Sequence, residues 1–88
     1  MERNSIEERF RSMLEPVVKE QGLKLISVEY VKESGNYYLR GYIDKPDDDV
    51  SINDCTMVSR IISNRLDKED FIEDAYTLEI CSKGFMEH

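Results

Sequence analysis

Apolar residues near the start of the chain recur at helical spacing. Between residues 5 and 21 they return every three or four positions and would form one stripe: Ile6, Phe10, Met13, Leu14 and Val17. Ser5 with Glu8 three residues later matches a capping box, and Gly22 stands where helices commonly end. Pro16 lies inside this span, so we expect a kink or a break into two helices.

Three further segments alternate apolar and polar residues with the period of a β-strand. They cover residues 24–33, 36–44 and 76–82. The tetrapeptide Glu-Ser-Gly-Asn between the first two is typical of a hairpin turn, in which Gly35 or Asn36 supplies a positive φ.

A second helical pattern runs from residue 52 to residue 66, after Ser51 as a suitable N-cap. Both helices need an apolar surface to cover. One face of the sheet offers it: Ile26, Val28, Leu39, Ile43, Leu78 and Ile80. The predicted fold is therefore an α+β two-layer sandwich in the order helix-strand-strand-helix-strand, with both helices on one face of a three-stranded sheet.

Length and composition place the chain among small globular proteins. It has 88 residues, of which 40% are hydrophobic and 35% charged. The sequence has neither an apolar run of the roughly 18 residues that a membrane span needs nor a signal peptide at its charged start, which favours a cytoplasmic protein. Cys55 and Cys81 are predicted to be free thiols, the first in the core and the second on the opposite sheet face.

The negative charge is concentrated in two short segments. The net charge is −7, and residues 44–54 and 67–74 each hold five acids and one lysine. A surface that binds a phosphate backbone needs clustered lysine and arginine, and the sequence contains no such cluster. The charge therefore favours a basic partner over a nucleic acid.

The side chains that carry most enzyme chemistry are scarce. His88, the last residue, is the only histidine, which argues against Ser-His or Cys-His nucleophiles and against histidine zinc sites. The four glycines match neither a phosphate-binding loop nor a dinucleotide fingerprint. We predict no catalytic residue, no cofactor and no metal ion, and hence a protein that is not an enzyme.

Three consecutive aspartates follow the second strand: Asp47, Asp48 and Asp49. Lys45 and Pro46 before them are good turn residues, so a solvated turn is the first interpretation. An acidic surface for a basic partner is the second. A metal site is the last, because the run lacks the alternating ligands, glycine and terminal glutamate of a calcium loop.

Two other groups of residues are candidates for binding a partner. Asp67, Glu69 and Asp70 follow the predicted end of the second helix, where negative charge is mildly unfavourable for the helix and so needs another explanation. The sheet face away from the helices would carry a mixture of aromatic and charged side chains: Glu29, Tyr38, Arg40, Tyr42 and Glu79. Tyrosine and arginine are common interface anchors, although a solvated face with Arg–Glu pairs explains this pattern equally well.

Three stretches of sequence together resemble the N-terminal domain of the RimP family of ribosome maturation factors. They are LEPVVKEQGLKLISVEYVKESGNYYLRGYIDKP, VSINDCTMVSRIISNRLDKEDFI and AYTLEICS, which lie between Leu14 and Ser82. The resemblance implies two helices on a three-stranded sheet and a bacterial, cytoplasmic, non-enzymatic factor that helps the small ribosomal subunit mature. It also implies contact with a basic small-subunit ribosomal protein.

The chain departs from the family pattern after the third strand. The family continues with Ser-Pro-Gly and Leu-Asp-Arg-Pro and then a second, β-barrel domain, whereas here Ser82 is followed by Lys83, Gly84 and Phe85. We expect residues 1–82 to form the RimP-like domain and residues 83–88 to be a truncated or foreign tail.

These observations favour an accessory factor of small-subunit assembly that binds a basic ribosomal protein or an assembly intermediate. The alternative is a small RNA-binding module of the KH type, since such domains share this architecture. The acidic charge and the lack of a Gly-x-x-Gly loop count against it, and the charge does not favour direct RNA contact.

Overall fold

A computed structural model describes residues 3–45 and 50–82. These residues form, in chain order, α1 (Arg3–Glu20), β1 (Lys24–Glu33), β2 (Asn36–Asp44), α2 (Ile52–Glu69) and β3 (Tyr76–Ser82). The predicted element order and the α+β class are confirmed. Neither helix of the described ranges is long and apolar enough to cross a membrane.

The strands form a mixed sheet in the order β1-β2-β3. β1 and β2 pair antiparallel through a two-residue turn, in which Ser34 (φ 52°) and Gly35 (φ 82°) both adopt positive φ. The turn was predicted with a positive φ at Gly35 or Asn36, and Gly35 confirms this; Ser34 also adopts a positive φ. β3 lies parallel to β2, with Leu39 opposite Leu78, so β2 is central in the described sheet and β3 lies at an edge.

The core lies between the helices and one face of the sheet. Its fully buried side chains come from both layers: Phe10, Leu14, Val17, Val18, Leu39, Ile43, Val58 and Ile62. Gly41 lies in close contact with α1, since a Cβ there would stand 2.5 Å from Leu14 Cδ2. The central strand can therefore lie directly under α1 only because this position lacks a side chain.

Two expectations for the first helix are wrong: a break at Pro16 and a cap at Ser5. α1 is a single helix that continues through the exposed Pro16, because the missing N–H affects one backbone bond while the apolar stripe on both sides of it stays buried. The expected kink at Pro16 stays a prediction. Ser5 lies inside the helix and is not its N-cap, since a cap preference of about 1 kcal/mol does not prevent a helix from starting earlier. The expectation for Gly22 is confirmed by its φ of 75°.

A β-bulge changes which residues of β1 face the core. The register with β2 shifts between Leu25 and Ser27, so that Leu25 pairs with Ile43 and Val28 with Gly41. Leu25 and Val28 pack against the core, whereas Ile26 is the extra residue of the bulge. The prediction that Ile26 faces the core is therefore wrong, because strict alternation ignores the inserted residue.

The second helix begins as predicted and ends later. The Ser51 side chain accepts a hydrogen bond from the Asp54 N–H, and the Asp54 carboxylate accepts one from the Ser51 N–H, which completes a capping box. α2 ends at Glu69, and Asp70 is its C-cap, with a φ of 42° and an N–H that donates to the Leu66 carbonyl. Asp67 and Glu69 thus lie in the last turn of α2, not beyond its end.

Both cysteines are free and half-buried. Cys55 lies at the border of the core, not inside it as predicted, and Cys81 lies opposite Tyr42 on the outer face of the sheet. Burial raises the pKa of both thiols.

Candidate functional site

The face of the sheet away from the helices is organised around Arg40. This residue lies in the middle of β2, between Glu29 of β1 and Glu79 of β3. Its guanidinium donates to Glu79 at 2.6 Å and to Glu29 at 3.0 Å, and it binds both carboxylate oxygens of Glu33 at 2.9 and 3.1 Å. We call Arg40 and these three glutamates the Arg40 cluster.

Two tyrosines complete this outer face. The Arg40 guanidinium lies 4.7 Å from the centre of the Tyr38 ring, and the Tyr42 hydroxyl donates to Glu29 at 3.1 Å. The structure thus brings together the five residues that the sequence singled out on this face. Arg40 forms ion pairs with both predicted glutamates, Glu29 and Glu79. Whether the face binds a partner stays a prediction.

The electrostatics of the Arg40 cluster follow from these bonds. The hydrogen bonds that Arg40 donates to Glu33, Glu79 and Glu29 raise the pKa of Arg40, and the bond accepted from Arg40 lowers the pKa of Glu33. The pKa of Tyr42 is raised first by burial and then by its bond to Glu29. Three carboxylates surround one guanidinium, so the cluster carries a net charge of about −2 at neutral pH.

Sequence reasoning missed Glu33 as a member of this group. Glu33 lies four residues after Glu29 on the same strand, so the two-residue period places both on one face. That signal was available, but Glu33 ends β1 beside the turn and was counted with the hairpin. Because four carboxylate hydrogen bonds use the Arg40 donors, this side chain is poorly placed to bind a phosphate.

A second candidate surface lies where α2 ends and β3 begins. We call it the acidic end and define it by Asp67, Asp70, Glu73 and Asp74. All four side chains are exposed, and none of them makes an ion pair with another described residue. Their charges crowd around a shallow depression that Tyr76 and Leu78 also border.

Glu69 differs from its acidic neighbours because it has a cationic partner. Its carboxylate accepts a hydrogen bond from Arg9 of α1 at 2.8 Å, and the Arg9 guanidinium also lies 4.5 Å from the centre of the Phe71 ring. Glu69 therefore ties α2 to α1. Sequence analysis grouped Glu69 with Asp67 and Asp70, because Arg9 is sixty positions away and no local pattern connects them.

The predicted turn and docking surface at Asp47–Asp49 lie outside the described residues. Lys45, just before that segment, has its Nζ 3.8 Å from Asp54. The hydrogen bonds of the capping box and Lys45 together lower the pKa of Asp54. Within residues 3–45 and 50–82, no group of three or more His, Cys, Asp or Glu side chains is arranged to hold a metal ion.

Comparison with known protein families identifies one matching family model. The model of the RimP N-terminal domain matches residues 13–86, which is most of the chain. The match begins within α1 and covers every strand and the whole of α2. Proteins of this family are ribosome maturation factors that act on the small ribosomal subunit. The chain therefore belongs to the RimP N-terminal domain family.

Proposed function

We propose that this chain is a non-catalytic accessory factor that helps the small ribosomal subunit mature by binding a basic ribosomal protein or an assembly intermediate. The observation that supports this best is the acidic end. Four carboxylates meet there without cationic partners in the described part of the chain. Such a group favours a partner that brings lysine or arginine.

The acidic end is poorly explained by the stability of the domain itself. Asp67 and Asp70 lie at the C-terminal end of α2, where the helix dipole disfavours negative charge. Glu73 and Asp74 add like charges nearby. Exposed charges of this kind mainly steer the encounter with an oppositely charged partner and set its salt dependence.

The outer sheet face is a second surface for the same partner. Tyr38 and Tyr42 are rigid aromatic side chains beside the net negative Arg40 cluster. An interface that combines tyrosines with ordered charges would suit a basic protein surface. In this proposal Glu29, Arg40 and Glu79 hold the tyrosines in place, and the acidic end attracts the partner.

Binding of RNA is the alternative function. The ground for this alternative is that small KH-type domains share this α+β architecture. Against it, two of the arginines that could contact phosphate are already held by carboxylates: Arg40 by the glutamates of its cluster, and Arg9 by Glu69. We therefore prefer a protein partner, with RNA as an outcome of the test.

Place of action and domain division belong to the same proposal. We expect the chain to act in the bacterial cytoplasm, where small subunits are assembled. The division into a domain of residues 1–82 and a tail of residues 83–88 stays a prediction, and the tail lies outside the described residues.

The proposal is tested with purified small-subunit ribosomal proteins and ribosomal RNA fragments. The variant Asp67→Asn/Asp74→Asn removes two charges of the acidic end, and Glu15→Gln/Glu20→Gln removes two exposed charges from α1 as a matched control. We expect the first pair to slow association with a basic ribosomal protein at low salt and the control pair to have little effect. Equal effects of both pairs, or tighter binding to RNA than to any ribosomal protein, would refute the proposal.

A further inference from the structure

β3 is paired along only one of its edges in the described structure. β2 forms the parallel ladder on one side, from Tyr37 opposite Tyr76 to Ile43 opposite Ser82. On the other side, no described residue makes a backbone hydrogen bond with β3. The outer edge of β1 differs, since the Tyr30 N–H there donates to Glu7 of α1 at 2.8 Å.

The side chains of β3 that point towards the helices are only partly covered. Leu78 and Ile80 pack against the core but remain half-buried, whereas Leu39 and Ile43 on the neighbouring strand are fully buried. The helical layer thus stops short of the outer edge of β3. It leaves apolar surface beside a row of unpaired backbone groups.

Small side chains of α2 keep this space open. Cys55, Ser59 and Ser63 follow one another at four-residue intervals and face Ile80 across an open depression, which Thr56 and Arg60 also border. Farther along the same side of the helix, Ser63 and Asp67 border a second depression with Leu78 and Tyr76. Because the two depressions share Ser63, we call them together the α2–β3 groove.

The groove has a charge at one end that fits a particular occupant. The acidic end closes it where α2 finishes and β3 starts, through Asp67, Asp70, Glu73 and Asp74. At the other end the groove is bordered by Val50, Ile52 and Ser82, and Ile52 is 83% exposed. Two apolar side chains of β3, Leu78 and Ile80, an open strand edge and a cluster of carboxylates at one end together match an extended peptide whose basic residues lie at that end, away from Arg60.

We propose that the α2–β3 groove binds an extended basic segment of a partner protein, which pairs with β3 as an additional strand. The inference rests on the proposed function in so far as the partner is a protein, and it adds where and how that partner binds. Main-chain hydrogen bonds to the edge of β3 provide affinity, and every second side chain of the segment points into the groove.

The dimensions of the groove define the segment. β3 has seven residues, so a paired segment of similar length is needed. Its inward side chains meet Ser59, Ser63 and Ile80, which leaves space for residues such as valine or threonine. Lysine or arginine at the end of the segment that lies near Asp67 and Asp74 completes the fit.

The test uses the whole chain of this protein and a synthetic eight-residue peptide in which valine and threonine alternate with lysine. Binding is followed by amide chemical shifts and by titration. We expect the largest shifts in β3 and at Ser59 and Ser63, and slower hydrogen exchange at the β3 amides that point away from β2. A peptide of the same sequence, N-methylated at alternate residues, keeps its charge but loses half its donors and should bind about tenfold more weakly.

Matched variants place the site on one side of α2. Ser59→Tyr fills the groove and should weaken peptide binding about tenfold, whereas Asn64→Tyr adds the same group to the exposed side of the helix and should have little effect. Circular dichroism of both variants checks that they fold. Largest shifts on the Tyr38 and Arg40 face, equal affinity of the methylated peptide, or no peptide binding would overturn the inference.

A second experiment separates this inference from the proposed function. A basic small-subunit ribosomal protein is titrated against the native chain and the Ser59→Tyr variant. Loss of binding in the variant supports the groove. Undiminished binding overturns the groove while the proposed function stands. Binding of the peptide but of no ribosomal protein would refute the proposed function and leave the groove supported. A single-stranded RNA oligonucleotide that occupies the groove in place of the peptide would overturn the inference.

Discussion

Replacing Gly41 by alanine should destabilise the domain by overpacking its core. Gly41 lies in the central strand and faces α1. A Cβ there would stand 2.5 Å from Leu14 Cδ2, 3.3 Å from Ile80 Cδ1 and 3.7 Å from Phe10 Cε2. Leu14 and Phe10 are fully buried, so neither can turn into solvent to make room.

The expected cost follows from two opposing effects. Inserting a methyl group into a packed core costs about 1–3 kcal/mol. Replacing a glycine reduces the entropy of the unfolded chain and offsets about 0.4–1 kcal/mol of this. We therefore expect Gly41→Ala to lower the free energy of unfolding by about 1–2 kcal/mol, which lowers Tm by several degrees for a domain of this size.

Urea denaturation of a double-mutant cycle measures this effect directly. Leu14→Val removes the Cδ atoms that clash and alone should cost about 0.8 kcal/mol for the lost methylene plus a term for the cavity it leaves. The double variant Gly41→Ala/Leu14→Val should lose clearly less free energy of unfolding than the sum of the two single losses, because the two side chains occupy the same space. Gly35→Ala is the control. Its φ is 82°, so it should destabilise through the backbone, yet add independently to Leu14→Val. An unchanged or raised stability of Gly41→Ala, or strict additivity with Leu14→Val, would refute the reasoning.

Three further predictions concern single contacts. The pKa of Glu33 in the folded chain lies below its ordinary value of 4.5, so its contribution to stability is present above pH 4.5 and is lost as pH falls through the lowered pKa. As the pH falls from 4.5 through the lowered pKa, the urea midpoint should fall less steeply for Arg40→Met than for the native chain. Parallel plots of midpoint against pH would contradict a stabilising Arg40–Glu33 bond. Ser51→Ala removes the side chain that caps α2 and should cost about 0.5–2 kcal/mol in urea denaturation, with Ser51→Asn close to native; equal losses in both would speak against the cap. The buried Tyr30 hydroxyl has no hydrogen-bond partner among the described residues, so thermal denaturation of Tyr30→Phe should show stability unchanged or raised by about 1 kcal/mol, and a loss would reveal a partner.

The strands and the start of α2 could be predicted from sequence because their signals are local. Period-two alternation placed Glu29, Arg40 and Glu79 on one face, and the structure joins them by hydrogen bonds. A serine before a helical pattern identified the cap at Ser51. These predictions depend only on spacing along the chain.

The remaining features depend on contacts between distant segments. The bulge at Ile26 inserts one residue into the alternation, and no glycine or other residue typical of a bulge lies beside it in β1 to indicate the insertion. Arg9 and Glu69 are brought together only by the packing of α1 on α2. The position of β3 beside β2 follows from the crossover through α2, which spacing alone does not determine.

The open groove was also beyond sequence reasoning. Leu78 and Ile80 have the pattern of core residues, and the sequence predicts them as buried. Their partial exposure results from where α2 lies relative to the sheet edge and from the small side chains at Ser59 and Ser63. A pattern of apolar residues indicates which face points inward, but not how completely another layer covers it.

The two pairings of β2 differ in the length of chain that each must close, and this difference sets an order of events in folding. β1 and β2 are joined by a two-residue turn, whereas β2 and β3 are separated by all the residues between Asp44 and Tyr76. The entropy lost on closing a loop grows with its length, so the hairpin should form early and β3 should join last. During synthesis, α1 and the hairpin are made before β3. The nascent domain therefore passes through a stage in which the strand edge that β3 will later occupy is exposed.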